Sequence, residues 1–198
     1  MGIDVDLKWV LRFCLFAIVL CVRAVEAQAD ESVRLEDLMT ELGKVDRAEA
    51  RFVEQKYMKV LKTPLESSGT LIYEAPDRMI KRTEKPKPET MTVDADRLTL
   101  ERQGRTRTLR LQDYPVLWAF IESIRATLRG DLPSLQRFYA VDVSGEMQRW
   151  ALSMKPKDPK MGRVISSIEI AGSQSKVKTV KVQETQGDRS MMTIVEDR

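Results

Sequence analysis

Short runs of alternating apolar and polar residues, each ended by a turn signal, recur along this chain from Ala48 to Ile194. Side chains of a strand point to opposite faces in turn, so each run can bury one face and wet the other. Many short strands at this spacing suggest a curved antiparallel sheet or barrel. The unit that organises the rest is Ser67 to Arg82, a strand, a tight turn and a second strand. β-Branched, aromatic and aliphatic residues flank the bend, and Pro76-Asp77 supplies it, because proline presets φ for a corner. Inside a central strand the same proline would delete a ladder hydrogen bond.

Upstream, Ala48, Ala50 and Phe52 alternate against Glu49 and Arg51 in a first strand that runs to about Val60. Downstream, Lys85-Pro86-Lys87-Pro88 is a stiff, charged connection. Met91 and Val93 lead into a turn at Asp94-Ala95-Asp96. Leu98 and Leu100 mark the next strand, Gln103-Gly104 the next turn, and Leu109 with Leu111 the strand after it. Strands resume at Phe138, with Val141 and Val143 before a turn at Ser144-Gly145. Trp150, Leu152 and Met154 then share one face of the following strand. Ile168 with Ile170, Val180 with Val182, and Met192 with Ile194 mark three more, separated at Gly172 and Gly187. The expected fold class is mainly β (α+β), an incomplete antiparallel barrel of about ten or eleven strands.

Helical spacing interrupts this pattern. Leu35, Leu38, Met39 and Leu42 share one face of an N-terminal helix over Ser32–Leu42 that Gly43 stops. Pro115 suits a helix's first turn. Val116, Leu117, Phe120, Ile121, Ile124 and Leu128 follow as one apolar stripe, with Glu122, Arg125 and Arg129 opposite and Gly130 at the end. Asp131 then caps a short helical turn through Pro133 and Leu135. Two amphipathic helices bury such stripes on the concave face of a sheet, the central one as a lid over an apolar cavity.

Lys8 and Arg12 precede an apolar run from Phe13 to Val22, and the small-residue site Ala27-Gln28-Ala29 follows. That is the layout of a secretory signal peptide, residues 1–29, cleaved after Ala29, with one domain over 30–198. Leu20 stands where lipid modification of Cys21 needs a small residue, so a lipoprotein is not expected. Cys14 and Cys21 both fall in the removed segment, so the exported domain holds together by burial and sheet pairing. Its net charge of +3 is mild, which argues against nucleic acid as a partner.

Histidine is absent, and the cysteines leave with the signal peptide, which removes Ser-His-Asp and Cys-His catalysis and the usual zinc sites. Asp94 and Asp96 form a carboxylate pair, but they sit in a hairpin turn, where acidic residues serve the backbone. A hydrolase built on that pair is the weaker reading, so the chain is expected to be no enzyme and to need no cofactor. The basic run Arg102, Arg105, Arg107 and Arg110 reads as a solvated sheet edge kept from pairing by its charge. Docking on an acidic partner or an anionic headgroup is the other reading. Methionines at inner strand positions pack a core, or line a cavity whose contents vary in shape.

A helix, then Phe52 with Gln55, then Gly69-Thr70-Leu71-Ile72-Tyr73 leading to Pro76, then Gly130-Asp131-Leu132 before Phe138 and Trp150, resembles the LolA-type periplasmic lipoprotein carriers. The likeness covers about Leu35 to the end. It implies an incomplete antiparallel barrel wrapped around helices, with a cavity that shields acyl chains crossing the periplasm. Two positions depart from that pattern. Ala75 stands where the family has a functional arginine before the proline, and Lys81 where an aromatic typically follows it. Arg78 lies nearby as a possible polar contact. The chain therefore looks more like the divergent carrier-like proteins associated with export of aryl-polyene or other acyl-type lipids.

The resemblance and the pattern together place ligand contacts at Leu71, Tyr73, Met79, Met91, Leu98 and Leu100 on strands, and at Leu117, Phe120, Ile121 and Ile124 on the lid. Trp150, Leu152 and Met154 complete the set. They imply a monomeric periplasmic carrier of a lipid or acylated ligand, taking it from an inner-membrane exporter to an outer-membrane acceptor. The alternative is a non-carrier interaction or lipid-sensing domain of the same fold.

Overall fold

The computed structural model describes residues 32–195. The signal peptide expected over residues 1–29 lies outside them. Helix α1 (Leu35–Leu42) precedes strands β1 (Arg47–Tyr57), β2 (Leu65–Glu74), β3 (Arg78–Lys85), β4 (Glu89–Asp94), β5 (Arg97–Arg102) and β6 (Arg105–Arg110). A single 3-10 turn over Leu111–Asp113 leads into α2 (Pro115–Arg129) and α3 (Leu132–Phe138). Then come β7 (Tyr139–Glu146), β8 (Arg149–Pro156), the short α4 (Pro159–Gly162), β9 (Ile165–Ser173), β10 (Lys176–Glu184) and β11 (Arg189–Val195).

Among the described residues, all the strands join one antiparallel sheet in the order β6-β5-β4-β3-β2-β1-β11-β10-β9-β8-β7. The first and last strands meet at its centre, with Phe52 opposite Ile194 and Glu54 opposite Met192. Strands β6 and β7 are its two outer edges and do not pair with each other, which leaves the barrel incomplete. They are nevertheless consecutive strands of the chain, joined through α2 and α3. That connection has to cross the sheet from one edge to the other. The face it crosses is the apolar one.

Most turns stand where the sequence puts them: Pro76-Asp77, the Pro86–Pro88 connection, Ala95-Asp96 and Gln103-Gly104 each separate a hairpin's strands. Leu111 differs, belonging to the 3-10 turn rather than to β6, where it is fully buried. The turns expected at Ser144-Gly145 and Gly172 also differ, since both sites lie within strands, β7 and β9. Trp150 pairs with Gly145 on one side and Gly172 on the other, and at Gly172 its ring is the reason. A Cβ on Gly172 would stand 2.5 Å from the indole Cζ2 and 2.2 Å from the Lys176 carbonyl oxygen. Gly172 makes room for a large ring, whereas Gly145 takes φ 89° within β7 and a Cβ there would stand 2.2 Å from the Arg149 carbonyl oxygen.

Two clusters occupy the covered face. On the β7–β9 side, Trp150, Leu152, Met154, Ile168 and Ile170 pack with Leu38, Met39 and Leu42 of α1, Ala119 and Ala126 of α2, and Leu135 of α3. On the β4–β6 side, Val93, Leu98 and Leu111 pack with Ile121. Helix α2 therefore straddles both halves, and Trp118 and Phe120 touch both clusters. Trp118 meets Phe138 edge-to-face with ring centroids 5.2 Å apart.

The junction of α1, α2 and α3 is tight. Gly130 takes the left-handed conformation, φ 68° and ψ 21°, and the Asp131 N–H donates back to the Ala126 carbonyl at 2.8 Å. This 6→1 closure is how a helix satisfies its last carbonyls before turning away. A Cβ on Gly130 would lie 2.1 Å from the Met39 carbonyl oxygen. Asp131 caps α3 as its position suggests, accepting from the Ser134 N–H at 3.1 Å.

Candidate functional site

Antiparallel partners directly opposite share a face, so the register lays out the covered side of the sheet row by row. One row runs Tyr73, Met79, Val93, Leu98, Leu109 across β2 to β6. The next runs Ala50, Leu71, Lys81, Met91, Leu100, Arg107. A third runs Phe52, Gly69, Thr83, Glu89, Arg102, Arg105. The face is thus apolar along its first row and increasingly charged towards the third.

Helix α2 lies over this surface in an orientation its apolar spacing does not give. Its most deeply buried residues are Ala119, Ile121, Ser123, Arg125, Ala126 and Thr127. The larger apolar side chains Val116, Leu117, Phe120, Ile124 and Leu128 are only partly buried. Small residues let the helix approach α1 and the β7–β9 core closely. The buried hydroxyls are satisfied within the helix, Ser123 Oγ donating to the Phe120 carbonyl at 2.6 Å and Thr127 Oγ1 to the Ser123 carbonyl at 2.8 Å.

The expectation that Arg125 and Arg129 lie on the face away from the protein needs correcting. Arg125 is only 5% exposed. Its Nη2 donates to the Asp77 carbonyl at 3.0 Å, in the β2–β3 turn, and to the Ala95 carbonyl, in the β4–β5 turn. Arg129 Nη1 reaches the Asp77 carboxylate at 3.0 Å, and its Nη2 reaches Glu122 at 2.6 Å. Burial works to lower the Arg129 value, but the carboxylates of Glu122, Asp77 and Asp131 together outweigh it and raise the net value. Together the two arginines pin α2 to the tips of two hairpins. Sequence spacing missed this latch because 48 residues separate Arg125 from Asp77 along the chain. The signal that was present is the pair of polar turns, each offering free carbonyls.

Of the residues assigned to the ligand, Tyr73, Leu98 and Ile121 are buried, while Leu71, Met79, Met91, Leu100, Leu117, Phe120 and Ile124 are partly buried. Met79, Met91, Leu117 and Phe120 pack against the β4–β6 cluster with Leu98 and Ile121. Trp150, Leu152 and Met154 sit apart from these, enclosed in the β7–β9 core at 0–1% exposure. Arg78 stands apart as well: exposed, one residue out of phase with Met79, and held by Glu74 at 3.0 Å. The Tyr73 hydroxyl is buried with no hydrogen-bond partner, and burial raises its pKa above 10.0 against the opposing pull of Arg129.

A family model for the outer membrane lipoprotein carrier protein LolA-like family matches residues 27–195. The chain belongs to that family. No curated protein sequence matches it. Among solved structures, a LolA superfamily protein from Nitrosomonas europaea is similar over 84% of this chain and 94% of its own, at 7% identity and TM-score 0.42. MucB in the MucA/MucB complex of Pseudomonas aeruginosa is similar over 82% of this chain and 56% of its own, at 13% identity and TM-score 0.46. The lipoprotein LppX of Mycobacterium tuberculosis is similar over 79% of this chain and 92% of its own, at 6% identity and TM-score 0.37. Within this LolA-like chain, Ala75 is exposed at the turn and Lys81 sits on the covered face, with its Nζ 4.8 Å from the centroid of the Phe52 ring and paired to Glu54. Among the described residues, no helix is long and apolar enough to cross a membrane.

Proposed function

We propose that the protein is a periplasmic carrier that holds a hydrophobic, acylated ligand between α2 and the β2–β5 half of the sheet. It passes that ligand from an inner-membrane donor to an outer-membrane acceptor without covalent chemistry. The observation that carries the reading is the burial pattern of α2, which seals Ala119, Ser123, Ala126 and Thr127 beside Ile121 and Arg125 while Leu117, Phe120 and Ile124 remain partly open. A helix built only to close a core would bury its largest apolar side chains first. Membership of the LolA-like family supports the same class of ligand. Trp150, Leu152 and Met154 are then framework rather than lining.

The energetics suffice. A buried methylene is worth about 0.8 kcal/mol, so a sixteen-carbon chain gains on the order of 10 kcal/mol before ordering costs. Release needs the helix to lift, and the polar latch is a contact that water can replace. Native mass spectrometry after mild extraction from the cell envelope is expected to find a lipid adduct, lost in a Phe120→Arg, Ile124→Arg variant that keeps its circular dichroism. A wild-type protein that neither carries nor takes up any lipid would refute the carrier reading.

A further inference from the structure

The charged part of the covered face is more than the solvated edge that a basic run suggests. A cleft of about 280 Å³ opens there, lined by Glu54, Ser67, Lys81, Thr83, Lys87 and Arg102 together with Pro86 and Glu89. Pockets that enclose a drug-sized ligand run to about 300–1,000 Å³, so this one is the size of a headgroup and not of a lipid. It also adjoins the apolar rows directly. Lys81 stands between Leu71 and Met91 in the second row, and Arg107 closes that row beside Leu100.

The sign of the site is set by the register. In the cleft, Lys81, Lys87 and Arg102 outnumber Glu54 and Glu89. Arg102 faces Arg105 directly across β5 and β6, with Glu89 at 3.8 Å as its carboxylate partner. Like charges directly opposite each other destabilise a sheet. Guarding the β6 edge from other chains does not require them on this face, because Arg97 and Arg110 form an opposed pair on the other. From the β6 edge the cations reach three strands inward, to Lys81 on β3, whose side chain is only 28% exposed. Partial burial strengthens the pull of Lys81 on an anion relative to open water, a pull it already exerts on Glu54 of the same cleft.

We propose that this cleft is the headgroup subsite of the carrier and that its ligand is an anionic amphiphile. The apolar rows take the chain, and Lys81, Lys87 and Arg102 of the cleft, joined by Arg105 and Arg107 from the same face of β6, take a phosphate or carboxylate. The inference rests on the carrier reading above and adds the charge of the cargo, which an uncharged acylated terminus would not satisfy.

The test is equilibrium binding, to the full protein as the cell processes it, of oleoyl lysophosphatidate and of monoolein, which share a chain and differ in charge. The acidic lipid is expected to bind on the order of tenfold tighter at low salt, the scale of one charge-assisted hydrogen bond. That gap should shrink at 1 M salt, where the Debye length is about 3 Å. An Arg102→Glu, Arg107→Glu variant should lose the preference yet keep monoolein binding, which also certifies its fold. An Arg97→Glu, Arg110→Glu variant, altered on the other face, should keep the preference. Equal affinity for both lipids in the wild type, or a preference that survives reversal at Arg102 and Arg107, overturns the headgroup site and leaves the carrier standing. Displacement of lysophosphatidate by equimolar inorganic phosphate overturns the amphiphile. Failure of both lipids to bind removes the carrier itself.

Discussion

Replacing Arg125 with methionine tests whether α2 is pinned by its polar side. The change keeps side-chain length and apolar contact while deleting the guanidinium that bridges the Asp77 and Ala95 carbonyls. A hydrogen bond to a charged donor contributes about 1.5–3 kcal/mol, so two such bonds are worth roughly 3–6 kcal/mol gross. Two terms reduce this. Arg125 Nε is buried without a partner, a cost the variant removes, and Ala95 is exposed, so water can take up its freed carbonyl. A net loss of about 2–3 kcal/mol remains. For a domain of this size each kcal/mol lowers Tm by about 2–4 °C, so melting should fall by roughly 4–12 °C. Hydrogen exchange supplies the sharper reading. Amides of 115–129 should lose protection while those of β8 and β9, in the other core, keep theirs. Arg78→Met, which breaks an exposed pair with Glu74, should change Tm by no more than a degree or two. A melting point for Arg125→Met within that same margin, with protection of 115–129 unchanged, would refute the latch.

Gly130→Ala should be among the most damaging small substitutions, because the residue must adopt φ 68° and its new methyl would lie 2.1 Å from the Met39 carbonyl oxygen. A loss of more than about 2 kcal/mol in a urea titration is expected. Asp131→Ala should cost about 1 kcal/mol by removing the cap on α3. Its hydrogen bonds from Ser134 lower the Asp131 pKa below 3.8, so that contribution is present above this value and disappears as pH falls through the folded value. At the alkaline end, burial raises Tyr73 and Tyr139 above 10.0. Their neutral forms are favoured in the fold, so stability should hold below about pH 10 and decline as pH rises above it. A Tyr73→Phe, Tyr139→Phe variant should flatten that alkaline limb in pH-dependent melting.

Strand and turn positions were legible because their causes are local. Period-two alternation and residues such as Pro76, Gly104 and Gly130 act within a few positions of themselves. The same local logic misplaced turns at Gly145, which carries its positive φ inside β7, and at Gly172, whose small size answers to Trp150 on a neighbouring strand. Ligand-contact candidates on β2, β4 and β5 came out on one face because alternation fixes which face a residue joins. Their separation from Trp150, Leu152 and Met154 was invisible, because α1 fills the β7–β9 side and nothing in those strands names their cover.

By itself, then, the sequence determined the elements: a meander of strands, a helix at either end of its first half, and an apolar face to each strand. Only the tertiary structure decided that β1 and β11 meet at the centre, that α2 crosses between unpaired edges, and that it rests on its small residues with Arg125 buried. It alone gathered Lys81, Arg102 and Arg107 onto the covered face beside an apolar row. The physical reason is range. Propensity and periodicity act over a turn or a strand, whereas hydrogen bonds such as Arg125 to Asp77 join groups that only the folded chain brings within reach.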